Sequence, residues 1–162
     1  MFPSSRYFAA ATMTYFDYTS TADVDHAMAA AILVRHSAIE KVGLMDEKLT
    51  IYYNDLDWSL RFKQAGWRTV FLPEAKVVHV GGATMKSMMA DYGFVKEQYE
   101  NAFHYFRKHF GSASVVVYRT LLFLGFLPRA LLWVFARTLK PTRETRLRFA
   151  FSLHTLRVAL KA

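Results

Sequence analysis

At 162 residues, with 53% hydrophobic and 16% aromatic residues, the chain is long enough for one ordinary domain and too apolar to be disordered. The absence of cysteine excludes disulfides, thiolate zinc sites and cysteine nucleophiles, and fits a reducing compartment. The net charge of +8 is not spread evenly: residues 1–114 carry 12 basic and 12 acidic residues, whereas the last 48 carry nine basic residues against Glu144 alone. Such asymmetry points to attachment of the C-terminal part to something anionic, a nucleic acid or a phospholipid surface. The start, "MFPSSRYFAAATMTYF", has no apolar core of signal-peptide quality, so the chain is expected not to be exported.

In chain order, no repeat or low-complexity tract interrupts the pattern. "AMAAAILVRH" (27–36) is a short apolar run ending in charge, which predicts a buried strand or a tightly packed segment. "SAIEKVG" (37–43) predicts one or two helical turns, capped by Ser37 with Glu40 reaching back and ended by Gly43. The best-marked helix starts in "YYNDLDWSLRFKQAGW": Asn54 is a preferred N-cap, Asp55 and Asp57 oppose the positive end of the dipole, and Gly66 ends it. Leu56 with Leu60 and Trp58 with Phe62 are apolar i,i+4 pairs. "WRTVFL" and "AKVVHV" predict two short strands, "GGATMKS" a turn-rich piece, and residues 91–110 a helix with Phe94, Tyr99, Phe103, Phe106 and Phe110 at near-helical spacing. At Gly111 and Ser112 the composition turns apolar and basic, which divides the chain into 1–111 and 112–162.

Acidic residues in a first helical turn are stabilising by themselves, and Arg61 lies four residues beyond Asp57 in the favourable ion-pair orientation. Three features point further. Tyr52 and Tyr53 put aromatic surface directly before Asp55, as a sugar-stacking site would. An aspartate at a helix N-terminus has its ionised form favoured and so serves as a proton acceptor. His79 ends a strand-like run and leads into Gly81 and Gly82, where backbone can approach a ligand closely. The other five histidines carry no such context.

The run from Val24 to Ser87 resembles the acceptor-side half of family 2 glycosyltransferases of GT-A fold, especially the bacterial rhamnosyltransferase-like group. The landmarks are "AAAILVRH", "VGLMDE", "YYNDLDWSLR", "KQAGWRTVFLPEAKVVHVGG" and the short run that follows, in one register over about 64 residues. The resemblance implies a partial GT-A α/β domain, with Asp55 as the general base that deprotonates the acceptor hydroxyl. It implies His79 as a ligand of Mg²⁺ or Mn²⁺ at the donor diphosphate, and Asn54, Asp57 and Trp58 on the acceptor side. The implied reaction is inverting transfer of a sugar such as rhamnose from a nucleotide sugar to a lipid-linked or polysaccharide acceptor, in bacterial cell-surface polysaccharide synthesis. A single base behind the attacking hydroxyl suits such a reaction, and a divalent cation suits a diphosphate leaving group.

The chain also departs from the family. Asn54 stands where a carboxylate is usual, and Ala29 replaces a common glycine. The donor-binding half and its Asp-x-Asp pair are not in this sequence; "DVD" at Asp23–Asp25 falls at the family's mid-domain entry instead. The expectation is a fragment with little transfer by itself, its donor half either lost by truncation or supplied by a separate chain. The alternative is a catalytically inactive remnant acting as a membrane-associated interaction protein.

In the tail, "VVVYRTLLFLGFLPRALLWVFARTL" is broken by Arg119 and Arg129 into an apolar stretch of nine residues, short of the roughly 20 needed to span a bilayer. Pro128 is expected to break or kink a helix there. "ETRLRFAFSLHTLRVALKA" mixes leucine and phenylalanine with arginine as an interfacial helix does. The tail is therefore expected to dock on the anionic inner face of the plasma membrane from the cytoplasm, through Arg119, Arg129, Trp133, Arg137, Arg146 and Arg148. The competing reading is that these helices pack on the rest of the chain with their arginines in solvent. Nucleic acid is not expected as a partner, because the basic residues alternate with long aliphatic runs and no nucleic-acid motif is present.

Overall fold

The computed structural model describes residues 13, 15–80 and 91–161. Its elements, in order, are β1 (Ala22–Asp23), α1 (His36–Val42), α2 (Asn54–Gln64), β2 (Val70–Phe71), α3 (Tyr92–Phe110), α4 (Ser112–Leu139) and α5 (Arg143–Leu160). They are mostly helical, and the sheet among the described residues has two strands. Contacts divide the chain into two compact units, Met1–Leu44 with Trp58–Val78, and Met45–Asp57 with His79–Ala162. The second unit groups α3 with α4 and α5, whereas the change in composition falls at residues 111–112.

In the first unit, β1 and β2 pair antiparallel with Ala22 opposite Phe71 and Asp23 opposite Val70. Val24 N donates to Thr69 O at 2.9 Å, and Arg68 donates twice to the Asp23 carboxylate at 2.8 Å. Helix α1 and the body of α2 satisfy each other's ends. Gly43, at φ 84°, closes α1 by donating to Ile39 O at 2.7 Å. The carbonyls exposed there accept from α2 side chains: Trp58 Nε1 to Gly43 O at 2.9 Å, and Arg61 to Val42 O at 2.9 Å and Leu44 O at 2.7 Å. Lys41 answers by donating to Ala65 O at 3.0 Å, past the end of α2. Trp58 and Phe62 are buried with ring centroids 4.9 Å apart, as their i,i+4 spacing predicts.

Two predicted strands do not form. Residues 31–35 have no regular structure: Ile32 and Val34 are half-buried but Leu33 is fully exposed. Only Val70–Phe71 of "WRTVFL" is strand, and "AKVVHV" (75–80) is irregular, with Val78 and Val80 at 95% and 83% exposure. The physical reason is pairing. An apolar run becomes a strand only when a neighbour satisfies its backbone groups and covers its side chains, and β1 with β2 is the only ladder among the described residues. The turn-rich "GGATMKS" piece lies outside the described residues. Helix α1 also starts one residue earlier than expected, at His36, with no side-chain cap on its first turn.

In the second unit, α3 is capped by Asp91, whose side chain accepts from Phe94 N at 3.0 Å, and closed by Gly111 at φ 80°. Val95, Tyr99 and Phe103 bury one face of α3 against Val115 and Leu122 of α4 and Val158 and Ala159 of α5. Thr142 opens α5 in a reciprocal capping box with Thr145. Of the break or kink expected at Pro128, the break does not occur: helix α4 runs 28 continuous residues. It is therefore long and apolar enough to cross a membrane by length and composition.

Candidate active site

The candidate base sits in the second unit, where the turn before α2 is fastened to α3. Asn101, buried on α3, donates its amide to Ile51 O at 2.8 Å and to Thr50 Oγ1 at 3.3 Å. Thr50 in turn donates to Glu97, one turn earlier on the same helix. These bonds hold a strained path: Tyr52 and Tyr53 have φ of 52° and 58°, left-handed conformations that bulky residues rarely adopt. Strain of this kind, on the order of 1–3 kcal/mol per residue, persists only where the surroundings over-determine it. Tyr53 supplies much of that constraint. Its ring lies 5.5 Å from Tyr105 and 6.5 Å from Phe106, and its hydroxyl is 3.4 Å from that of Tyr118 on α4.

The turn delivers Asn54 and Asp55 half-buried at the N-terminus of α2. Asn54 Oδ1 accepts from Asp55 N at 3.0 Å, and Asp55 Oδ1 accepts from Leu56 N at 2.9 Å. Asn54 is thus the first helical residue and not the expected N-cap: its oxygen meets only the adjacent amide, while Asp57 N donates to Tyr53 O at 2.8 Å. The same dipole end stabilises the aspartate as an anion. Tyr52, three residues earlier in the chain, is 43% exposed and offers an aromatic surface to solvent.

Asp57 has a different environment. It is wholly buried, and its Oδ1 accepts from Lys108 Nζ at 2.7 Å and His109 Nε2 at 2.8 Å. Lys108 also reaches Asp46 Oδ2 at 2.8 Å, and His104 Nε2 reaches the same oxygen at 3.1 Å. The Lys108 hydrogen bond holds the Asp46 carboxyl well below the usual carboxylate range, burial opposing and His104 assisting. Burial disfavours the Lys108 ammonium, but its bonds to Asp46 and Asp57 outweigh this and raise its pKa. Burial, then the Tyr53 hydroxyl, likewise raises Tyr118 far above an ordinary phenol. Both act to keep the charge state of this layer fixed near neutrality.

Asp57 and Trp58, expected on the acceptor side, thus turn inward: Asp57 into the charge network and Trp58, 8% exposed, onto the Gly43 carbonyl. His79 is exposed on the irregular segment 76–80. Among the described residues no three His, Cys, Asp or Glu side chains converge as a metal site, so a lone imidazole does not by itself make a place for Mg²⁺ or Mn²⁺. Arg119 lies half-buried with its guanidinium 4.6 Å from the Phe103 ring, whereas Arg129, Arg137, Arg146 and Arg148 are exposed and Trp133 is half-buried. Sequence reasoning missed Asn101, Lys108 and His109, which hold the turn. Their signal is faint: His104 and Lys108 are four apart on one face of α3, but nothing local says that Asp46 and Asp57 meet them.

A 50-residue stretch, 31% of the chain, is 42% identical to N-acetylglucosaminyl-diphospho-decaprenol L-rhamnosyltransferase of Mycobacterium tuberculosis, in strains CDC 1551 / Oshkosh and ATCC 25618 / H37Rv alike. The similarity is to a glycosyltransferase. The matched stretch spans 16% of the length of those curated relatives. No family model matches the chain, and no solved structure does.

Proposed function

We propose that the chain is the acceptor side of an inverting family 2 glycosyltransferase of GT-A type, with Asp55 as general base. The observation that carries the reading is the tyrosine turn: a strained loop, clamped to α3 by Asn101 and carrying an exposed aromatic ring, presents an anionic carboxylate at a helix N-terminus. Pre-organisation of this kind is what a base needs, since its carboxylate must stand ready behind one hydroxyl. Asp55 removes the proton as the acceptor oxygen attacks the sugar's anomeric carbon and the nucleoside diphosphate leaves. Tyr52 packs against the acceptor, and Asn54 fixes the first turn so that the carboxylate does not rotate away.

The donor, a nucleotide sugar such as one carrying rhamnose, is held by residues outside the matched stretch. His79 reaches a Mg²⁺ or Mn²⁺ ion only in company with oxygen ligands contributed there. The acceptor is a lipid-linked or polysaccharide glycan of the bacterial envelope, a choice supported by the relatives' printed activity. Helices α4 and α5 dock on the inner leaflet. Support comes from α4, which packs one side on α3 and α5 while Leu121, Leu124, Leu131 and Phe135 stay more than 60% exposed. A helix covered on one side by protein, carrying Arg119 and Arg129 mid-length, suits an interface better than a span, since mid-bilayer charges cost about 2.5–3.5 kcal/mol each.

The test is sugar transfer from a panel of nucleotide sugars, by the chain alone and with the polypeptide encoded immediately upstream added in trans. The chain alone is expected to show little or no turnover. The mixture is expected to be active, with Asp55→Asn lowering kcat roughly 10²–10⁴-fold. Undiminished turnover in that variant would remove Asp55 from the role.

A further inference from the structure

Away from the tyrosine turn, α4 and α5 enclose a groove of about 1020 Å³, at the upper end of the roughly 300–1,000 Å³ of small-molecule sites. Its walls are apolar, with Leu132 and Trp133 from α4 facing Leu147 and Phe151 from α5, and its rim is basic. Arg148 at the rim is neutralised by Glu144 at 2.7 Å and lies 5.1 Å from the Trp133 ring. Arg129 and Arg143 are different: both are exposed and neither has an ion pair among the described residues. Arg129 is also held in place, its Nη1 donating to Gly125 O at 2.6 Å on its own helix. An apolar slot with two uncompensated guanidiniums at its edge matches a molecule that is greasy along its length and anionic at one end.

Leu132 decides the kind of molecule. It lines the groove and, at 58% exposure, also belongs to the bare stripe of α4 that includes Leu131, Phe135 and Leu139. One medium must cover both, and a bilayer does so with its own lipids. We propose that this groove binds one anionic glycerophospholipid, an acyl chain along Leu132, Trp133, Leu147 and Phe151 and the phosphate at Arg129 and Arg143. The inference rests on the membrane-docking part of the function proposed above, not on the transfer chemistry.

The test measures binding of a short-chain phosphatidylglycerol, kept below its micelle concentration, to the full chain by calorimetry. Phosphatidylcholine of the same chains and a prenyl phosphate serve as comparisons. Phosphatidylglycerol is expected to bind at one per chain, at least tenfold tighter than phosphatidylcholine. Arg129→Gln with Arg143→Gln is expected to weaken it at least tenfold, whereas Arg107→Gln with Arg157→Gln, exposed and outside the groove, changes it less than twofold. Leu147→Trp, which fills the slot and leaves the arginines, is expected to abolish binding. Equal losses in the two arginine pairs, equal affinity for phosphatidylcholine, or tighter one-to-one binding of the prenyl phosphate would each overturn the proposal. Flotation with anionic liposomes separates the two readings: flotation without binding of the single lipid sinks the groove alone, and binding of the lipid without flotation sinks membrane docking alone.

Discussion

The two segments proposed to carry chemistry are built in opposite ways. The turn at residues 50–53 is pinned by Asn101, Glu97 and three aromatic rings, tightly enough to hold two tyrosines at positive φ. Residues 76–80 have no regular structure, and His79 sits between valines 95% and 83% exposed. A carboxylate held in place by packing and an imidazole left in solvent start from different degrees of order. The first is finished by this chain's own packing, and the second depends on cover that β1 and β2 do not supply.

That contrast can be broken by mutation. The largest effect is expected from Asp57→Ala, which removes the bonds to Lys108 and His109; a loss of about 3–5 kcal/mol in urea denaturation is expected, because two hydrogen bonds to a charged group are lost at roughly 1.5–3 kcal/mol each. A loss below 1 kcal/mol would mean that the network does not hold the turn to α3. Next comes Asn101→Ala, which strands the Ile51 carbonyl and is expected to cost about 1–3 kcal/mol. In the reconstituted enzyme it should also lower kcat without removing any group that touches substrate.

Asp46→Asn is smaller, about 1 kcal/mol at neutral pH, and has a signature of its own. Because the folded state holds this carboxyl below its unfolded value of roughly 3.9, its contribution is present above that value and lost as pH falls toward the folded one. The wild-type chain should therefore lose stability below about pH 4, and the variant should lose measurably less over the same range. Identical acid profiles would exclude the Asp46–Lys108 contact. The smallest effect is expected at His79→Ala, within about 0.5 kcal/mol of wild type, since an exposed side chain on an irregular segment contributes little. A large stability change there would show that 76–80 is structured after all and would erase the comparison.

How far the sequence led differs by element. Helices α2 and α3 were legible to within a residue or two, since Asn54, Asp91, Gly66 and Gly111 act on hydrogen bonds within a turn of themselves. The tail helices were legible in composition, although Pro128 proved compatible with an unbroken α4. Asp55 lies in the first turn of α2, as the spacing predicts, but the fastening of the turn before it was not legible. Asn101 lies 50 residues from Ile51, and Lys108 lies 51 from Asp57, separations at which no spacing rule operates.

The amino-acid sequence by itself determined where helices begin and end, and that a basic, apolar tail follows a carboxylate-tipped helix, because caps, glycines and charge composition are local properties. Only the tertiary structure decided which carboxylate stays at the surface and which is sealed by Lys108 and His109. It also decided that "AILVR" and "AKVVHV" remain without partners while Val70 and Phe71 pair. Burial and strand pairing are fixed by what stands opposite a residue, and that is a property of the folded chain.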